Sequence, residues 1–271
     1  MVDPQSGMMA SDPLPLILTA YLVMAVVMGG LWAVQRNTRN AAIGDVGWCM
    51  GLMVSVLWYT TLADVGIERV LLTAMLVGLY AGRLGLYILF NRVMGKQEDA
   101  RYRHLREEWG ESEPVKMFVY FQLQAVAVAV FSLPFLAVLW NPRPPSSLVE
   151  LVGLVIWSVA ISGEAKADRQ LAHFRADPRN ECRVCREGLW RYSRHPNYFF
   201  EWLHWCSYVV MTMGAPDWPF TWIGPIGMGW MLLKLTGIPR TEAQALRTRG
   251  EEYREYQQTT SAFFPWFHRK A

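Results

Sequence analysis

The chain has 271 residues, 52% hydrophobic and 18% charged, with 13 Trp, 14 Met and a formal net charge of +3. Its apolar residues fall in runs long enough to cross a bilayer, which excludes a water-soluble globular domain. So small a net charge, carried by loops, is no nucleic-acid-binding surface, and Cys49, Cys182, Cys185 and Cys206 are too few and too scattered for a disulfide framework.

In chain order the apolar runs predict seven membrane helices, at Pro13–Val34, Ile43–Ala63, Val70–Phe90, Met117–Trp140, Ser147–Gly163, Asn197–Met213 and Trp218–Ile238. Each is close to the ~20 residues a helix needs to cross hydrocarbon. The first run is longer than a signal-peptide core and no basic residue precedes it, so it is expected to be retained. Lys and Arg of short loops stay on the cytoplasmic side of a membrane. With the N-terminus outside, the outer loops hold only Arg69 and Arg143, Arg83 and Lys234 lie within spans, and every other basic residue falls inside. The expected fold is therefore all-α and polytopic, with seven transmembrane helices and a cytoplasmic C-terminus. Three long polar segments share that inner side: Asn91–Lys116, Glu164–Arg194 and an amphipathic tail helix, Thr241–Gln258, after the stop Gly237-Ile238-Pro239.

Polar residues inside the spans carry the chemical information. Tyr80, Arg83, Tyr87 and Asn91 follow one another at three, four and four residues and so share a face of the third helix. A charge at this depth costs several kcal/mol, so Arg83 either faces a polar interior with a partner or snorkels about 10 Å to the cytoplasmic end. Asp45, after Gly44 at the start of the second span, is either a carboxylic acid sharing a proton with a tyrosine of that stripe or a helix-start acid favoured on its own account. Tyr80 is about 15 Å deep, so the two meet only if residues 36–44 dip into the bundle.

Asp168, Leu171 and Arg175 continue a helix out of the fifth span, followed by Arg179, Arg183, Arg186, Arg191 and Arg194. Guanidinium groups in such a cluster bind phosphate oxygens, or else simply contact lipid headgroups. Arg175 and Arg194 flank helices that enter the bundle and are the stronger phosphate candidates. Asn197, Glu201, His204 and Tyr208 recur at four, three and four residues along the sixth span. In the tail, Glu242 and Tyr256 are placed for cofactor contact and Trp266 and Phe267 for anchoring at the interface. Cys182-x-x-Cys185 supplies only two ligands, so no metal site is expected. No nucleophile elbow, Walker loop, Rossmann fingerprint or H-E-x-x-H occurs.

Three stretches together resemble the steroid 5α-reductase family, and more narrowly its bacterial seven-span members. They are Glu164-x-x-x-Asp168-x-Gln-Leu-x-x-Phe-Arg175, the segment Gly188-Leu-Trp-Arg-Tyr-Ser-Arg-His-Pro-Asn-Tyr-Phe-Phe-Glu201, and Tyr253-x-x-Tyr256 with Phe-Phe-Pro265-Trp266. Arg83-x-x-x-Tyr87-x-x-x-Asn91-Arg92, with Tyr80 upstream, extends the resemblance into the N-terminal half, and Asp45 does so more weakly. The resemblance implies a single integral-membrane domain over 1–271, helices 1–3 and their loop (1–116) on the substrate side and helices 4–7 with NADPH-binding loops and tail in 117–271. It implies reduction of the carbon–carbon double bond of a 3-oxo-Δ4 steroid or sterol-like lipid by NADPH, in the bacterial inner membrane were the chain bacterial. Carried over, Asn91, Arg175, Asn197, Tyr198 and Glu201 fall on cofactor positions, joined by Arg83, Tyr87, Asp168, Arg194, His195, Glu242 and Tyr256. Tyr80 and Asp45 fall on the tyrosine and carboxylic acid near the substrate ketone, although mammalian members have Gln-Glu where this chain has Gly44-Asp45. Membrane lipids are the other expected partners, and no nucleic acid is. Two alternatives stay open. Membrane S-adenosylmethionine methyltransferases of the isoprenylcysteine carboxyl type also carry Arg-His-Pro-x-Tyr beside a later Glu, and a non-catalytic sterol- or lipid-binding protein would use the polar stripes as structural glue.

Overall fold

The computed structural model describes residues 13–62, 64–235 and 237–267, and the stretch ahead of Pro13 lies outside them. Among the described residues the chain is helical, without strands. It is an integral, multi-pass membrane protein. Five helical runs are long and apolar enough to cross a membrane: Pro13–Thr38 (α1), Ile43–Leu62 (α2), Ile67–Val93 (α3, Ile67–Ile88, with a π-helical turn at Leu89–Val93), Ala100–Leu139 and Leu148–Ala176 (α7). The fourth run comprises α4 (Ala100–Trp109), α5 (Glu113–Phe131) and α6 (Leu133–Leu139). Lipid-facing side chains such as Val26, Leu148 and Val155 are largely exposed on these helices.

The sixth and seventh expected spans differ from the sequence reading in form. Helix α8 runs Pro196–Met211, 16 residues or about 24 Å. The next run is split into α9 (Trp218–Thr221), α10 (Ile223–Trp230) and a π-helical turn at Met231–Leu235. Pro219 and Pro225 withhold backbone N–H groups there, and Gly224, Gly227 and Gly229 weaken the helix further. The tail, expected as one helix, is α11 (Ile238–Arg249) and α12 (Glu251–Thr259), broken at Gly250, whose φ of 55° suits glycine.

The chain divides into two compact units: residues up to Ser147 with Thr212–Thr221, and Leu148–Met211 with Trp222 onward. In the first, α2 and α3 form an antiparallel hairpin, and α1 packs on α2 and α5. Gly85 of α3 lies against Cys49 of α2, a Cβ at that glycine standing 3.2 Å from Cys49 Cβ. Asn40 shapes the turn into α2. Its Oδ1 accepts from the Ala42 N–H at 3.1 Å, and its Nδ2 donates to the Arg92 carbonyl at 2.8 Å.

The second unit is organised by α7 and α8 packed along their length. Within lipid there is no hydrophobic force between helices, so close approach of small residues supplies the contact. At Gly153 a Cβ would sit 2.4 Å from Met211 Cγ and 2.9 Å from the Met211 backbone nitrogen. Backbone cannot move aside as a flexible side chain can. Gly153→Ala is therefore expected to destabilise the protein by about 1–3 kcal/mol, the usual range for overpacking; an unchanged thermal midpoint in detergent would refute the close approach.

Candidate functional site

The sequence-predicted residues fall into two groups, one in each unit. In the second unit, Pro196 opens α8 at the position where its missing N–H costs nothing. The turn is prepared by Ser193, whose Oγ accepts from the His195 N–H at 3.1 Å and donates to the Phe263 carbonyl at 2.8 Å. At the second residue of α8, Asn197 donates from Nδ2 to Asp168 of α7 at 3.3 Å. Asn197 Oδ1 is buried and without a hydrogen-bond partner among the described residues. Glu201 follows on the same face, accepting from Trp205 Nε1 at 2.9 Å, and beyond it His204 meets Tyr208 at 2.7 Å. Asp168, Glu201 and His204 are all buried. The α7–α8 face thus presents an acceptor-rich polar end.

Arg194, His195 and Tyr198 lock onto the tail. Arg194 Nε donates to Glu242 Oε1 at 2.7 Å, His195 Nε2 lies 3.2 Å from the same oxygen, and Gln257 donates to Glu242 Oε2 at 2.7 Å. Arg194 also caps the end of α12 through the Gln257 and Thr260 carbonyls. Tyr198 stacks on His195 at 5.3 Å and hydrogen-bonds Thr241 at 3.2 Å. Burial opposes ionisation of Glu242, but hydrogen bonds from His195, Arg194 and Gln257 and the Arg194 charge overcome it and hold the carboxyl at about 2. Burial lowers the His195 pKa despite the pull of Glu242, so the imidazole is neutral at pH 7 and Nε2 carries the proton donated to the carboxylate. Tyr256 donates to the Trp190 carbonyl, and burial pushes its pKa up, leaving it a fixed donor.

Residues given no site role in the sequence reading complete this arrangement. Trp190 Nε1 donates to the Ala167 carbonyl at 3.0 Å, and Gln170 Oε1 accepts from the Leu189 N–H at 3.0 Å. Gly188, at φ 56°, is packed so closely that a Cβ would lie 2.0 Å from Gln170 Nε2. Gln170 and the Gly188-Leu-Trp run both lie in the stretches that carry the family resemblance, which gives them no role of their own. Arg175 is exposed near the end of α7. Arg183 and Arg186 line a cavity of about 390 Å³ with Phe174, Asn180, Glu187 and Glu252.

In the first unit Tyr80 is fully buried on α3, with Arg83 and Tyr87 half-buried below it and Asn91 exposed in the π-helical turn, its Nδ2 turned back to the Tyr87 carbonyl at 2.9 Å. The Cys49–Gly85 contact fixes the register of the hairpin. Tyr80 is five residues to one side of that level and Asp45 four residues to the other, about 14 Å apart along the axis at 1.5 Å per residue. Asp45 and Tyr80 are therefore not brought together. The tyrosine that Asp45 holds is Tyr102 of α4, donating at 2.7 Å, with Arg101 3.8 Å away. Arg106, one turn further on α4, donates to Glu98 at 2.9 Å, to Gln35 at 2.7 Å and to Glu113, pinning the helix in place.

A model of the DUF1295 family, proteins of unknown function, matches residues 31–260. The chain belongs to the DUF1295 family. DUF1295 is a steroid 5α-reductase-like family of membrane proteins, and the match spans both groups of residues described above. Uncharacterized protein C594.04c of Schizosaccharomyces pombe (strain 972 / ATCC 24843) is 24% identical over 278 residues, covering 90% of this DUF1295 chain and 78% of that protein. No solved structure matches the chain.

Proposed function

We propose that the protein is an enzyme that reduces the carbon–carbon double bond of a 3-oxo-Δ4 steroid or similar lipid with NADPH, in a bundle of seven crossings with the N-terminus outside. The observation that carries this reading is the α7–α8 polar end. Its buried acceptors, Asn197 Oδ1 and the carboxylates of Asp168 and Glu201, suit a ligand rich in N–H and O–H donors, as the nicotinamide carboxamide and ribose hydroxyls are. NADPH supplies hydride. Asn197, Asp168 and Glu201 bind and orient it, Arg175 and the arginines after it meet its phosphates, and the Arg194–His195–Glu242 lock holds the Tyr198 ring in position. In the first unit the buried Tyr80 hydroxyl donates to the ketone oxygen as negative charge develops there, a contribution of about 3–4 kcal/mol for one donor in a dry site.

The Arg194–His195–Glu242 cluster favours a second reading, methyl transfer from S-adenosylmethionine, because the Arg-His-Pro-x-Tyr segment beside a later Glu is the feature those methyltransferases share. Binding of NADPH and of S-adenosylmethionine to the detergent-purified protein, side by side, separates the two. Saturable NADPH binding with no response to S-adenosylmethionine is expected; the reverse result would replace reduction by methyl transfer.

A further inference from the structure

The Asp45 end of the first unit holds more polar chemistry than one tyrosine. On α5, Tyr120 packs edge to face on Tyr102, ring centroids 6.0 Å apart. One turn further, Gln124 directs its amide at the first turn of α2. A Cβ at Gly44 would stand 3.2 Å from Gln124 Nε2 and 3.0 Å from the Phe121 ring. The bare glycine is what lets that amide come so close, beside Asp45. Both Nε2 and Oε1 of Gln124 are shielded from solvent without a hydrogen-bond partner among the described residues. The Tyr120 hydroxyl interacts with this amide and is its one polar neighbour on α5. An amide has two donors and two acceptor sites, so a single neighbouring hydroxyl offsets only part of the desolvation cost of burying it. Val119 and Leu123, its neighbours on α5, are exposed to lipid, so a ligand arriving here from the membrane has an apolar body.

Spacing then says which part of the ligand this is. The Asp45 level is about 14 Å along the α2–α3 hairpin from the Tyr80 level. We propose that Gln124, with Asp45 and Tyr102, holds an oxygen function at the end of the lipid opposite the reacting ketone, so that the preferred substrate is a rigid apolar body with an oxygen at each end. The assignment rests on the reading that places the reacting ketone at Tyr80. A ketone or hydroxyl there accepts from Gln124 Nε2, and a hydroxyl also donates to Oε1 or to the Asp45 carboxylate. Gln124 is a specificity-determining residue, and Tyr102 positions Asp45 for it.

The test uses the full chain in nanodiscs and two probes, androst-4-ene-3,17-dione and androst-4-en-3-one, which differ only in the far-end oxygen. Equilibrium binding without cofactor is expected to favour the dione by about 10-fold or more, since a site built to hydrogen-bond an oxygen rejects the analogue lacking it. Gln124→Met, close in length but unable to hydrogen-bond in this way, is expected to abolish that preference while leaving the affinity for the monoketone within about twofold. Tyr102→Phe, which should reduce the preference, serves should Gln124→Met fail to fold. A preference undiminished in the folded variant, or no preference in the parent protein, overturns the proposal. NADPH affinity, measured in parallel, scores the reductase reading by itself: a preference lost in Gln124→Met by a protein that binds no NADPH upholds the far-end site and removes the reduction.

Discussion

Replacing Glu242 by alanine is expected to lower the thermal midpoint of the detergent-solubilised protein by about 6–20 °C at pH 7. Glu242 is the common acceptor of Arg194, His195 and Gln257, and its side chain is only 14% exposed. Removing it leaves the Arg194 guanidinium, 10% exposed, without its counter-charge. Breaking a buried pair from one side costs about 3–5 kcal/mol, and in a chain of this size each kcal/mol is about 2–4 °C. A midpoint within about 2 °C of the parent would show that the tail does not clasp the start of α8. The same residue sets the acid limit. Its carboxyl is held at about 2 in the fold, below its ordinary value, so its stabilisation, at most about 3 kcal/mol, is complete above pH 5 and lost as pH falls through 4 towards 2. His195 acts in the same direction at higher pH. Kept neutral by burial, it is protonated first in the unfolded chain, so stability begins to fall below about pH 6.5. The expected profile is flat above pH 7 and declines in two limbs below it, and Glu242→Gln should flatten only the lower one.

The clasp also shows where sequence reading reaches and where it stops. The first five spans were legible because continuous apolar runs leave no other means of satisfying backbone groups in lipid. The region after α8 was less so: its hydropathy suits one crossing helix, but its prolines and glycines divide it. Arg194, His195, Glu242 and Tyr256 were each visible as polar residues at element ends, yet nothing in their spacing says that positions 194 and 242 touch; the fold of the tail back along residues 190–194 brings them together. Helix α4 was hidden for the opposite reason. It is a polar stretch without an apolar run, and so its Tyr102 was not seen as the partner of Asp45, 57 positions away. Gly44 was legible only as a missing side chain, whereas in the fold the space beside it is taken by the amide of Gln124 from another helix.

Tyr80→Phe is expected to lower kcat for a 3-oxo-Δ4 steroid by about 10²–10³ while NADPH affinity stays unchanged. The reasoning turns on when the hydroxyl is used. A donor aimed at the ketone oxygen gains most when hydride has reached the β-carbon and the oxygen carries enolate charge, so its loss is felt in the transition state more than in binding. Tyr102→Phe should behave differently. Tyr102 lies about 14 Å from the Tyr80 level, beside Asp45 and Gln124, so its loss should weaken selection among steroids through KM and leave kcat for a monoketone within a few-fold. The pair therefore separates chemistry from recognition in one set of assays. Should Tyr80→Phe retain activity within a few-fold while Tyr102→Phe loses it, the ketone would belong at Asp45 and Tyr102, and the lipid would sit the other way round in the first unit.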